Sequence, residues 1–373
     1  MRATTLLLVA ASAYSATVAE RMREMIDKRE IPGAVTVVVN EKKVTHLEAI
    51  GHADPEGKVP LATDAIFWIA SMTKPITATA VLQMQEAGKL SIDDPASKYI
   101  PEYANLKTKD GKPVTITLRH MLTHTSGLAE AARAESAEAK KLADLIPVFA
   151  SKPVLFEPGS KWLYSQSGIN SLGRIVEIVS GEPFEVYLEK HIFAPLKMKD
   201  TTFYLTEKQM SRLVTPARLE NGVLSATGNI ILGKASPTSR DRYPAANGGL
   251  FSTASDYAQY VRMLLNDGTL DGTRILKPGS VKLMRTIATG TLQAGFIPGH
   301  GWGLGVGVVR EPQGMTRMLS PGTFGHGGAY GTQAWIDPVK KVGYILMVQR
   351  SNFGNNDGSA VRMAFQEAAA GVK

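Results

Sequence analysis

The chain of 373 residues contains no cysteine. This absence excludes a thiol nucleophile, disulfide cross-links and cysteine-ligated zinc, but it says little about the compartment. The sequence also lacks runs of basic residues, the longest being pairs such as Lys42-Lys43. The net charge of +8 is therefore scattered, which argues against nucleic acid as a partner. Beyond the N-terminus no stretch is long and apolar enough to span a bilayer, so we expect no membrane partner.

Two common signatures of hydrolases are also missing. There is no Gly-x-Ser-x-Gly elbow, which removes the usual α/β-hydrolase fold. His120 and His124 have a spacing that could place two ligands on one helix face, but no His-Glu-x-x-His is present. We expect these histidines to order a loop by hydrogen bonds, with neither a metal nor an organic cofactor. The glycine-rich segment 301–307 does not have the spacing of a phosphate loop and predicts a turn into a strand.

The N-terminus permits two interpretations. Residues 1–16, MRATTLLLVAASAYSA, contain one basic residue, a short apolar patch and small residues that fit a signal-peptidase site. This pattern favours a periplasmic or secreted protein. In the alternative, a cytoplasmic protein, the segment extends a helix that runs through ATVAERMREMIDKRE, in which Val18, Met22, Met25 and Ile26 recur at helical spacing.

Strand patterns occur near both chain ends. GAVTVVVN and VTHLEAIG flank turn residues and predict a hairpin, and VGVVRE, TQAWIDP and VGYILMVQ predict further strands near the C-terminus. The final segment SAVRMAFQEAAA is apolar at helical intervals, and the alanine- and lysine-rich run at 129–144 predicts a solvated helix. The middle of the chain is mostly helical and rich in loops.

This arrangement predicts an α+β fold. One antiparallel sheet is built from both chain ends and flanked by helices, and an inserted, mostly helical region forms a cleft. We expect residues 17–70 and 241–373 to form the α/β domain, and residues 71–240 to form the helical domain. The sequence does not predict an oligomeric state.

One short segment, IASMTKPITATAVLQMQ, combines a serine and a lysine at the start of a predicted helix. Ser71 and Lys74 are three residues apart and lie on one helix face. Burial and the positive end of a helix both disfavour a charged lysine, so Lys74 is placed to accept the proton of the serine hydroxyl. The backbone amide of Ser71 is placed to stabilise an oxyanion. The four letters alone leave a structural role open, since serine is also a favoured N-cap.

Several other motifs accompany this pair. They are Tyr164 in FEPGSKWLYSQSGIN, the His326-Gly327-Gly328 sequence in TFGHGGAYGTQAWIDP, and the segments LRHMLTHTSGL, NGGLFSTASDYA and GWGLGVG. With SMTK they resemble the serine β-lactamase and penicillin-binding-protein superfamily, in particular its class C-like branch with the family VIII carboxylesterases and the D-aminopeptidases. The resemblance covers residues 20 to 370 approximately and implies the β-lactamase/transpeptidase-like fold.

The resemblance also implies roles for individual residues. Ser71 would be the acylated nucleophile. Lys74 and Tyr164 would share the work of general base and proton donor, and the sequence does not divide it between them. The amides of Ser71 and Ala329 would form the oxyanion hole, and Gln166, His326, Gly327 and Gly328 would contact substrate.

Two departures from the lactamase pattern bear on the substrate. Gln166 stands where lactamases carry an asparagine, and His326 replaces the lysine that helps to hold the carboxylate of β-lactams. A largely neutral imidazole does this less well. We therefore expect a serine carboxylesterase for short-chain, small-molecule esters, working through an acyl-enzyme. A D-aminopeptidase or amidase and a weak β-lactamase remain alternatives on the same site, and a non-catalytic relative that binds peptidoglycan or a protein is a further alternative. Among nearby aromatic residues, one or two could line an acyl pocket: Trp162, Tyr257, Trp302 and Tyr330.

Overall fold

A seven-stranded antiparallel sheet forms the centre of the computed structural model, which describes residues 16–229, 232, 235–354 and 357–372. Its strands come from both chain ends: β1 (Gly33–Asn40), β2 (Val44–Gly51), β9 (His300–Trp302), β10 (Gly307–Val309), β11 (Phe324–Gly327), β12 (Gln333–Asp337) and β13 (Val342–Met347). The strand order is β2-β1-β13-β12-β11-β10-β9, so the first hairpin joins the last strands through the β1–β13 pair. The predicted sheet and fold class are confirmed.

Helices cover both faces of this sheet. The terminal helices α1 (Val18–Asp27) and α11 (Ala360–Ala369) pack together against one face, and α9 (Ala254–Leu265) packs against β1 and β13 on the other. This double cover explains why β1 is buried along nearly its whole length and carries valine on both faces. Gly343 in β13 permits the close approach of α9, since a Cβ there would lie 2.3 Å from a methyl group of Val261.

The remaining elements are mostly helical between the two sets of sheet strands. The helices are α2 (Thr73–Glu86), α3 (Leu118–Leu122), α4 (Arg133–Glu138), α5 (Leu142–Ala150), α6 (Ser167–Ser180), α7 (Phe184–Leu188), α8 (Glu207–Met210) and α10 (Pro278–Arg285), with a π-helical segment at Glu189–Phe193 and short 3₁₀ turns at Ala70–Met72, Ala96–Lys98, Pro101–Asn105 and Gly314–Thr316. The small strands are β3 (Ile66–Trp68), β4 (Ala217–Glu220), β5 (Val223–Ala226), β6 (Phe251–Thr253), β7 (Thr269–Leu270), β8 (Thr273–Arg274) and β14 (Arg350–Ser351). Helix α2 lies between the sheet and the helical region, where it contacts β11 and α6, and it is therefore buried on nearly all sides.

The single solvated helix predicted at 129–144 is wrong. Helix α4 ends at Glu138, and α5 begins only at Leu142. The Asp144 carboxylate accepts hydrogen bonds from the backbone N–H groups of Lys140 and Lys141, both at 2.9 Å, and so starts a new helix. Leu142 then turns into the core.

Two predictions on chain organisation stay predictions. The division at residues 70 and 240 is one of them. The signal-peptide interpretation of residues 1–16 falls almost entirely on residues 1–15, which lie outside the described residues. Within the described part of the chain, no helix has the length and apolar character needed to cross a membrane.

Candidate active site

Ser71 lies in the tight 3₁₀ turn Ala70–Met72 that runs directly into α2. The residue before it, Ala70, has φ of +47°, a left-handed conformation that strains a residue with a side chain. A hydrogen bond of 2.7 Å from the Thr73 hydroxyl to the Ala70 carbonyl holds this turn. Local strain maintained by surrounding contacts is typical of functional sites, and here it fixes the position of the serine hydroxyl.

The Lys74 amine is fully buried beside Ser71. Its Nζ lies 3.1 Å from Ser71 Oγ, 2.9 Å from Gln166 Oε1 and 2.7 Å from the Asn247 carbonyl oxygen. Burial holds the lysine pKa well below its usual value, and the charge of Glu130 raises it by a smaller amount. A neutral amine can donate one N–H to Gln166 Oε1 and the other to the Asn247 carbonyl oxygen. Its lone pair is then free to accept the hydroxyl proton of Ser71.

Tyr164 completes the group from the segment before α6. Its ring lies under Lys74, whose Nζ is 4.6 Å from the ring centroid. Burial raises the tyrosine pKa far above its usual value, and a hydrogen bond with Ser71 offsets only part of this effect. Tyr164 is therefore a protonated phenol at neutral pH. The two opposite pKa shifts favour Lys74 as proton acceptor and Tyr164 as proton donor.

His326, at the end of β11, lies beneath Tyr164 and is 5% exposed. Its Nδ1 is 2.6 Å from the Gly327 carbonyl, which can only accept, so Nδ1 carries the hydrogen. The unprotonated Nε2 then faces the Tyr164 hydroxyl at 3.5 Å. Burial, with a smaller contribution from the Lys74 charge, lowers the His326 pKa to about 3. The imidazole is therefore neutral at physiological pH.

Close contacts with neighbouring side chains explain the glycines that follow. A Cβ on Gly327 would lie 2.4 Å from the guanidinium of Arg362, and a Cβ on Gly328 would lie 2.0 Å from the Thr332 hydroxyl. Arg362 is buried, forms an ion pair of 2.7 Å with Asp357, and donates to the carbonyl groups of Gly328 and Thr332. The Thr332 hydroxyl in turn donates to the carbonyl of Ile69, just before the turn that carries Ser71, at 3.3 Å. The substrate contacts assigned to Gln166, His326, Gly327 and Gly328 stay predictions.

An aromatic cluster surrounds Tyr164. The His124 ring is 4.5 Å from the Tyr164 ring, and Trp162 and Trp302 pack against both. His124 is fully buried with φ of +57°, and its Nδ1 accepts a hydrogen bond of 3.2 Å from the Ser165 amide. This agrees with the expected loop-ordering role, and it also places the histidine directly against the Tyr164 ring. No pattern around His124 predicts that contact. No cluster of three or more His, Cys, Asp or Glu residues in the described ranges could hold a metal ion.

Ser71 faces a cleft of about 950 Å³. Three predicted site residues line it: Ser71, Gln166 and Ala329. Lys74 and His326 are buried and Tyr164 is partly buried, and none of the three is among the residues that line the cleft. Ser71 and Ala329 share the wall, as a two-amide oxyanion hole requires.

The aromatic lining differs from the predicted candidates. Among the described residues, the aromatic side chains on the cleft wall are Trp68, Phe149 and Tyr243. Trp162 and Trp302 belong to the cluster around Tyr164, the Tyr257 hydroxyl donates to the Met72 carbonyl, and Tyr330 packs on Trp68. Proximity to the motifs in sequence was therefore a poor guide to the pocket.

Two polar residues at the site were also missed. Asn247 accepts from Lys74 through its carbonyl and donates to Gln166 Oε1 at 2.8 Å. Glu130 accepts from the backbone amides of Gln166 and Ser167, at 2.6 and 3.1 Å, and so caps α6. Asn247 begins the motif segment NGGLFSTASDYA, and this position in a motif could have marked it as a site residue. Glu130 follows LTHTSGL with no distinguishing pattern.

Comparisons with known proteins agree with this geometry. The β-lactamase family matches residues 18–368, and the chain belongs to that family. An uncharacterised protein of Mycobacterium tuberculosis is 33% identical over 88% of each chain. Esterase EstB of Burkholderia gladioli is 29% identical over 95% of this chain and 96% of its own length. The solved structure of EstCE1, a hydrolase with promiscuous acyltransferase activity, superposes with a TM-score of 0.80 at 26% identity, over 95% of this chain and 97% of the other. The protein is a serine hydrolase of the β-lactamase-like superfamily, near the family VIII esterases.

Proposed function

We propose that the protein is a carboxylesterase that hydrolyses small-molecule esters with short acyl chains through an acyl-enzyme on Ser71. The observation that carries the proposal is the neutral, buried His326 at the third motif, where a lactamase presents a cation. A buried imidazole with a pKa of about 3 offers no charge for the carboxylate of a β-lactam at that position. The similarity to EstB supports the same reaction class.

The reaction follows from the charge states of the site. Lys74 accepts the Ser71 proton as Oγ attacks the ester carbonyl, and the amides of Ser71 and Ala329 stabilise the oxyanion. The C–O bond to the alcohol breaks, and the leaving oxygen takes a proton from the Tyr164 hydroxyl, which recovers one from Lys74. Water then attacks the acyl-enzyme, with the same residues moving the protons, and releases the acid and free Ser71.

The first experiment compares hydrolysis of p-nitrophenyl butyrate by the wild type and by Ser71→Ala, with intact-mass detection of a phosphonate adduct. We expect a loss of several orders of magnitude in rate and an adduct on the wild type alone. Ser151→Ala is a matched control, because Ser151 is exposed at the end of α5 and its hydroxyl donates to the Val148 carbonyl within the same helix. Equal rates in the wild type and Ser71→Ala would contradict the proposal.

A substrate panel separates the esterase from its closest alternative. D-Alanine p-nitroanilide and a chromogenic cephalosporin test the D-aminopeptidase and β-lactamase activities on the same nucleophile. A histidine-containing third motif also occurs in the aminopeptidases that the sequence resembles, so His326 does not separate those two activities. We expect kcat/KM to be highest for the ester; preference for the anilide would favour the peptidase.

A further inference from the structure

The cleft wall carries an unbalanced set of charges. It includes two acidic residues, Glu130 and Asp241, and three basic residues, Arg133, Lys140 and Arg242. Lys140 forms an ion pair of 2.6 Å with Asp241. The Glu130 carboxylate accepts from two backbone amides at the start of α6. Within the described ranges, neither Arg133 nor Arg242 forms an ion pair, and the wall carries one more positive than negative charge.

Arg242 is the more unusual of the two because it is only 9% exposed. Its Nη2 donates to the carbonyl groups of Phe203 and Pro237, and the guanidinium lies 4.8 Å from the centroid of the Tyr204 ring. Its buried Nε has no hydrogen-bond partner in the described part of the chain. Burying a cation without an anion is unfavourable, and a site that retains one is a candidate for binding an anion.

Arg133 approaches the same cleft from another part of the chain. It is exposed at the start of α4 and has neither an ion pair nor a hydrogen bond from its side chain among the described residues. Guanidinium groups bind carboxylates through paired hydrogen bonds and keep their charge at all physiological pH values. An ester with no charge would make no use of two such groups on the wall of the cleft that contains Ser71.

We propose that the natural substrate is an ester that also carries a carboxylate, which Arg133 and Arg242 bind while Ser71 attacks the ester carbonyl. The inference rests on the proposed esterase function. It moves anion recognition away from the third-motif strand, where His326 is neutral, to the wall formed by α4 and the segment before β6. The carboxylate belongs either to the acyl part or to the alcohol part of the ester, and paired substrates distinguish these positions.

The test uses two matched pairs of esters. Mono-4-nitrophenyl adipate and methyl 4-nitrophenyl adipate differ by an acyl-side carboxylate, and 4-acetoxybenzoate and methyl 4-acetoxybenzoate differ by one on the leaving group. We expect the wild type to prefer the anionic member of one pair in kcat/KM, and Arg133→Gln to reduce that preference by roughly threefold to tenfold. Added salt should weaken the preference. Arg274→Gln removes an exposed arginine on β8, away from the cleft, and should leave the preference unchanged.

If the wild type prefers the anionic ester in neither pair, or if Arg133→Gln leaves its preference unchanged, the inference is overturned. Hydrolysis of these esters would still support the proposed function. If no ester is hydrolysed, the proposed function fails, and calorimetry on Ser71→Ala still decides the inference. Monomethyl adipate should then bind more tightly than dimethyl adipate, and Arg133→Gln should reduce the difference. Equal binding, or no binding of either compound, overturns it. Among the described residues, the Arg133 side chain has no ion pair or hydrogen bond whose loss would disturb folding, so this variant also avoids the structural role of Arg242.

Discussion

The neutrality of His326 predicts a specific response of stability to pH. The pKa of His326 is about 3 in the folded protein, against about 6.5 for a histidine in an unfolded chain. Because the folded value is lower, the unfolded chain binds the proton first as the pH falls. The stabilisation from a neutral His326 is present above pH 6.5 or so and is lost progressively between that value and about pH 3.

The size of the effect follows from the same two values. Each pKa unit corresponds to about 1.4 kcal/mol, so between about pH 7 and about pH 4 this histidine lowers the free energy of unfolding by about 3 kcal/mol. Carboxylates also titrate in this range. The comparison is therefore with His326→Gln, which keeps a polar side chain of similar size but has no titrating group.

The assay is urea unfolding of the wild type and His326→Gln at both pH values, followed by tryptophan fluorescence. We expect the wild type to lose about 3 kcal/mol more than the variant on acidification, whatever the variant costs at pH 7. Equal losses would mean that His326 titrates with an ordinary pKa. In that case the third motif could present a cation, and the main argument against β-lactam recognition would fall.

Three further outcomes are expected. Lys74→Arg keeps the positive charge but cannot accept a proton, so it should reduce kcat by about 10²–10⁴, as much as Lys74→Met. Retention of activity by the arginine variant would assign Lys74 a purely electrostatic role. Gly328→Ala would place a Cβ 2.5 Å from the Ile69 carbonyl, so thermal unfolding should show a loss of about 1–3 kcal/mol, whereas Gly279→Ala, in open space within α10, should be neutral or stabilising. Gln166→Asn shortens the amide whose Oε1 accepts from Lys74, so we expect kcat to fall by about tenfold with an unchanged melting temperature, and an unchanged kcat would contradict the assigned contact.

Local patterns in the sequence were sufficient where neighbours along the chain decide the structure. The bounds of β1 and β2 coincide with the segments GAVTVVVN and VTHLEAIG, because β-branched runs between turn residues favour strands in any context. The spacing of Ser71 and Lys74 likewise fixes their proximity through one turn of helix. The prediction of a single helix at 129–144 was wrong because the break in it depends on the Asp144 cap and on the burial of Leu142, which composition does not reveal.

Long-range contacts at the site could not be read from spacing. Gln166 and Asn247 reach Lys74 from 92 and 173 residues away in sequence, so only the family resemblance placed their segments near the nucleophile. The pocket aromatics depend on tertiary contacts in the same way. Trp68 faces the cleft because β3 pairs with β6 and its indole N–H donates to the Gly248 carbonyl at 2.6 Å. No sequence pattern around Trp68 indicates that orientation.

In the proposed mechanism, the groups that exchange protons are separate from the groups that carry charge. Lys74 and His326 are buried and Tyr164 is partly buried, and burial shifts the pKa of each so that its neutral form is favoured. An anion bound close to Lys74 would favour the charged amine and reduce the fraction able to accept the Ser71 proton. A neutral His326 avoids attracting an anion to that position, where a lysine would do so. Recognition of an acidic substrate through the guanidinium groups on the cleft wall would therefore leave the proton acceptor in its reactive state.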